Sequence, residues 1–119
     1  MRKIIVAMAV LFLSTAFADR DALVIQALIA NGSDTSKVHE IDFFLDFENL
    51  TQANVVAESM ASQGFSVKVF ENEDQTATIE AKKSLIPTLD NIHRISSYLD
   101  KLTTKHGGSY DGWGTEIVE

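Results

Sequence analysis

From Val38 to Phe47 the chain alternates with a period of two. His39, Ile41, Phe43, Leu45 and Phe47 fall on one side, and Glu40, Asp42, Phe44 and Asp46 on the other. Successive side chains of a strand point to opposite faces, so this segment needs a sheet with an apolar face turned to a core. Its second face carries acids and one aromatic ring, and faces water or a partner. The rest of the chain has to supply strands beside this one and helices over its apolar face.

Those elements are readable in order. Asp21 is placed to N-cap a helix over Ala22–Ala30, stopped by Asn31-Gly32, with Leu23, Val24, Ile25, Leu28 and Ile29 around most of its circumference. After the alternating strand, Asn49 caps a helix to Gln63, with Gln52 in the third position and Gly64 as its stop. Phe65–Phe70 and Thr76–Lys82 read as two strands joined by the polar turn Glu71–Gln75. Pro87 opens the longest helix, whose Leu89, Ile92, Ile95, Leu99 and Leu102 share one side as far as Lys105. Gly107-Gly108 releases the chain towards a last strand at about Thr115–Val118. Strand–helix–strand–strand–helix–strand is the split βαβ order, so the expectation is an α+β, ferredoxin-like domain. Two helices then cover one face of a four-stranded antiparallel sheet, with an additional N-terminal helix.

The first residues read differently. Arg2-Lys3, the apolar run Ile4–Leu13 and Ala16-Phe17-Ala18 make a secretory leader over residues 1–18, cleaved before Asp19, and residues 19–119 form one domain. The apolar run is shorter than the roughly 20 residues of a spanning helix. Export outside the cytoplasm, to the periplasm, is the expectation. Cleavage removes two positive charges and no acid, deepening the net charge from −7 to −9. Such acidity disfavours nucleic acid and anionic membrane and favours a basic partner. The chain has no Cys, which removes disulfides, thiol nucleophiles and cysteine zinc sites.

Tyr110-Asp111-Gly112-Trp113-Gly114 holds the only Trp of the chain between two glycines. Trp113 has two readings here: a plug in the core, or a presented anchor for a partner. Asp111-Gly112 is a turn or bulge signal. This motif resembles the C-terminal signature of the ribonuclease E activity regulator B family. Gly32-Ser33-Asp34, before the first strand, is similar to that family's Gly-Ser-Asp, and the likeness spans about Asp21 to Val118. The resemblance implies a small protein that binds a ribonuclease and restrains it without catalysis of its own. The family is cytosolic, and the leader argues against that location.

The expected open sheet face carries Glu40, Asp42, Asp46 and Glu80, with Lys68, Thr78 and Lys82, around the rings of Phe44 and Phe70. Sheets of this topology can stack RNA bases on such rings, but the acids would repel phosphate. A basic protein segment suits the face better, and Glu40, Asp42, Phe44, Asp46, Phe70 and Glu80 are the candidate partner-binding residues. A merely solvated face is the plain alternative. His39, His93 and His106 share no spacing that would gather them on a metal, and no cofactor is expected. A small exported enzyme or ligand-binding domain, with its site on the same face, is the second functional reading.

Overall fold

The computed structural model describes residues 5–7 and 17–119. The charged start of the expected leader, most of its apolar run and Ala16 of its cleavage motif lie outside the described residues. The elements are β1 (Ile5–Ala7), α1 (Phe17–Ala30), β2 (His39–Phe47), α2 (Leu50–Ser62), β3 (Ser66–Glu71), β4 (Ala77–Leu85), α3 (Leu89–Lys105) and β5 (Gly108–Glu116). The class is α+β, with three helices and an antiparallel sheet among the described residues. In space the strands run β1-β5-β2-β4-β3.

The alternating segment is the centre of that sheet. β2 pairs along its whole length with β4, Asp42 facing Lys82 and Leu45 facing Ile79, and on its other side with β5. Ile41, Phe43 and Leu45 are fully buried, and each contributes about 1.5–3 kcal/mol by leaving water. They meet Val56 and Met60 of α2, Ile92 and Leu99 of α3, and Val24 and Leu28 of α1 in one core. Phe43 meets Phe65 edge-on, with ring centres 5.8 Å apart, and Lys83 lies over the outer side of Phe65 at 4.7 Å.

The caps are local and agree with residue type. Asn49 accepts from the amide of Gln52 at 3.0 Å and starts α2, as expected. α3 starts two residues later than the sequence reading: Pro87 lies just before the helix rather than opening it, and Thr88 is the cap, accepting from the amide of Asn91 at 3.1 Å. The Thr88 hydroxyl accepts an end amide that proline could not serve, so the helix begins after it rather than at Pro87.

Three expectations change. Helix α1 begins at Phe17, so Asp21 does not cap it; its carboxylate is buried and takes donors from other elements. β5 begins at Gly108, seven residues before the expected start, and contains the whole Tyr110–Gly114 motif. A register shift opposite Phe44/Leu45 makes Asp111-Gly112 a bulge inside the strand, with Gly112 at φ 113°. That backbone suits glycine, and the bulge lets the chain bend while keeping its ladder. Gly108 has a steric role instead: a Cβ there would stand 2.5 Å from the ring of Phe47 and 2.6 Å from the Asp46 carbonyl. Finally, β1 adds a strand beyond the four expected, from a segment read only as leader.

Candidate functional site

The signature motif turns its large side chains inward. Trp113 is 2% exposed, and its Nε1 donates to Asp21 Oδ1 at 3.0 Å across 92 residues of sequence. Ser96 of α3 donates its hydroxyl to the same oxygen at 3.1 Å, which leaves the Tyr110 hydroxyl to donate to Ser96 Oγ at 3.1 Å. Burial pushes the Asp21 carboxyl above its ordinary range, while the donors Ser96 and Trp113, then His93 and Arg20, pull it back. Burial likewise raises Tyr110. One polar knot thus ties α1, α3 and β5 together beneath the sheet. Of the two readings of Trp113, the structure takes the core plug.

The same knot brings a serine, a histidine and an aspartate within one neighbourhood. Their order is wrong for nucleophilic catalysis, where the imidazole must stand between hydroxyl and carboxylate. Here the carboxylate binds Ser96 directly, and His93 Nδ1 lies 3.9 Å from Asp21 Oδ2 on the far side. Ser96 is also wholly buried.

Gly32-Ser33-Asp34 is a second fastening. Ser33 Oγ accepts from the Val118 amide at 3.0 Å and meets His39 Nε2 at 2.6 Å. His39 Nδ1 lies 2.8 Å from the Lys37 carbonyl, which can only accept, so Nδ1 carries the hydrogen and Nε2 accepts from Ser33. The Asp34 amide donates to the Val118 carbonyl at 2.6 Å, and the Asp34 carboxylate holds Ser36. That bond to Ser36 keeps the Asp34 carboxyl below its usual range. His39 therefore fills the expected inward position as a bridged core residue. His93 lies in α3, and His106 is the C-cap of that helix. Among the described residues no group of three potential ligands could hold a metal ion.

The functional candidates lie on the face these knots leave open. Helices cover the other side, and Glu40, Asp42, Phe44 and Asp46 alternate with the core set of β2. Register brings Thr78, Glu80 and Lys82 of β4 opposite Asp46, Phe44 and Asp42, and Lys68 of β3 opposite Glu80. Phe70 is 45% exposed. Phe44 is half-buried, with Glu80 of β4 opposite it on one side and Gly112 of β5, which has no side chain, on the other. A depression of about 300 Å³ is lined by Asp42, Phe44, Ser66, Lys68, Glu80 and Lys82.

The charge is less uniform than the sequence reading had it. Lys82 lies 3.2 Å from Glu40 and 3.7 Å from Asp42, so two of the candidate acids share one ammonium. These carboxylates hold Lys82 firmly protonated, its pKa raised by Glu40 first and then by Asp42. Two further acids join the face: Glu116 close enough to act on Lys82, and Asp111, turned outward by the bulge. Asp111 takes a 3.3 Å bond from Ser109 and sits beside Asp46, which accepts from Thr78 at 2.7 Å. Burial and the neighbouring Asp46 push Asp111 up to about 7. The sequence held one sign of this: Tyr110 and Trp113 are both large, yet three apart, a spacing that a regular strand cannot turn to one face.

The strand order, the two fastenings and the open face now stand beside known proteins. A family model described as "Regulator of ribonuclease activity B" matches residues 18–115. A curated relative of that name from Idiomarina loihiensis is 29% identical over 104 residues, covering 80% of this chain and 78% of its own. Another from Pseudoalteromonas atlantica is 32% identical over 103 residues, covering 80% and 86%. The matched span reaches from the start of α1 to Thr115, and so includes both fastening motifs. The chain belongs to the regulator of ribonuclease activity B family.

Proposed function

We propose that this domain is a non-enzymatic regulator that docks on a protein partner, by family a ribonuclease, through its open sheet face. We read the sheet from β2 to β5 as the ferredoxin-like split βαβ, with one face left for a partner. The observation that carries the reading is the composition of that face. Glu40, Asp42, Asp46, Glu80, Asp111 and Glu116 outnumber Lys68 and Lys82 around the rings of Phe44 and Phe70. Complementary charge speeds encounter with a basic segment, and the rings supply apolar contact area. Occupying a basic, RNA-binding stretch of the enzyme in place of RNA then restrains it without chemistry. A leader cleaved after Ala18 puts the same surface in the periplasm, where its basic partner is a protein other than a cytosolic ribonuclease.

The test is charge reversal at Glu40, Asp42 and Asp46 to Lys, with association to purified ribonuclease E followed at two ionic strengths. The folded triple variant should associate more slowly and lose its salt dependence. Unchanged association kinetics would place the partner on another surface. No association by the unaltered protein would remove ribonuclease E as the target.

A further inference from the structure

The outer edge of β5 is held by a distant part of the same chain. Ile5, Val6 and Ala7 pair antiparallel with Glu116, Thr115 and Gly114. The opposite edge of the sheet, β3, bears Lys68 near its middle, and edge lysines discourage further pairing. β5 has neither Lys nor Pro from Gly108 to Glu116. Its bulge lies upstream, so Gly114 and Thr115 are regular strand with a ladder partner on each side, and Glu116 pairs with Ile5 alone. The family match begins at residue 18, so the edge belongs to the family's domain and the strand that covers it precedes that domain.

We propose that the β5 edge is a strand-acceptor surface for an extended segment of a partner protein, and that Ile5–Ala7 holds it shut until the N-terminal segment leaves. Strand addition draws its affinity from main-chain hydrogen bonds and its selectivity from alternate side chains. The resident segment shows the chemistry the edge accepts: uncharged, β-branched and small residues, preceded in sequence by Arg2-Lys3. On the acceptor side, Glu116 offers charge of the opposite sign. The partner segment is therefore a short Ile-Val-Ala-like run led by basic residues. Removal of residues 1–18 would expose the edge, which makes loss of the leader an unmasking step. This interaction uses the sheet's edge rather than its face; the two share Glu116, but pairing at the edge does not require a partner on the face.

The test uses the full-length, uncleaved chain. Val6→Pro removes an amide donor and places a ring in the ladder. Amide hydrogen exchange across Gly114–Glu116 should then accelerate roughly tenfold, the factor that one net hydrogen bond represents. Exchange across Ile41–Leu45 is the folding reference and should not move. A synthetic peptide copying residues 2–9, added to the Val6→Pro chain, should restore the lost protection, and the same peptide carrying the proline should not. Equal exchange in the two chains would overturn the proposal, as would a Val6→Pro chain that gains no protection from a large excess of peptide. If Val6→Pro also disturbs the reference amides, Ala7→Pro replaces it. Disturbance by both would overturn the proposal, because β1 would then be part of the fold rather than its cover.

Discussion

Replacing Asp111 with asparagine should make the domain more stable, and only towards neutral and alkaline pH. The bulge in β5 sets Asp111 beside Asp46, and burial together with that neighbour raises its carboxyl to about 7 in the folded chain. In the unfolded chain it returns to about 3.8. A raised acid binds its proton more tightly when folded, so the fold is favoured at low pH and loses stability as pH climbs from about 4 to about 7. The penalty is fully present above that window. Three pKa units correspond to roughly 4 kcal/mol as a ceiling. The residue as a whole still reaches solvent although its carboxyl is partly shielded, so screening reduces the effect to about 1 kcal/mol. For a domain of this size that is about 4–8 °C in Tm. An asparagine amide replaces the proton as donor to Asp46 at every pH. Thermal unfolding of both proteins from pH 4.5 to 8.5 should give coincident melting points at the acid end and a gap opening towards pH 8. A gap of constant size, or a variant that melts lower throughout, would refute the shared-proton account.

Trp113→Ala should cost about 3–5 kcal/mol, as large-to-small core changes do, and leave Asp21 short of a donor; denaturant unfolding measures it, and a melting point close to the parent's would refute the plug. Ser33→Ala strips partners from both His39 and Val118 and should cost about 1–3 kcal/mol, with faster exchange of the Val118 amide as its signature. Protein recovered from cells should begin at Asp19 and fractionate outside the cytoplasm. An intact mass that includes residues 1–18 on cytosolic protein would end the export reading.

What was legible in the sequence is what depends on neighbours in the chain. The β2 alternation, the Asn49 cap and the burial of His39 follow from periodicity and local chemistry. Asp21 was misplaced because an aspartate ahead of an apolar run looks like a cap, and only Trp113, 92 residues on, shows it to be a buried acceptor. The extent of β5 was hidden by its own glycines, which mark a turn and a bulge with the same letters. On the candidate face, alternation alone identified the β2 members. Asp111 and Glu116, and the bridging of Glu40 and Asp42 by Lys82, depend on register between strands far apart in sequence.

The two fastenings, Asp21 to Trp113 and Ser33 to Val118, join the beginning of the domain to its last residues. On a chain made from its N-terminus, α1 has no finished seat until α3 and β5 have been synthesised. β2 likewise lacks its β5 neighbour until then, although β4 is already available to it. Completion of the fold is therefore a late event, set by loop closure over most of the chain rather than by helix formation. For that interval the N-terminal segment has no β5 edge to lie on. Until the domain closes, Ile5–Ala7 has no strand to pair with, and the rate of closure sets how long that segment stays uncovered.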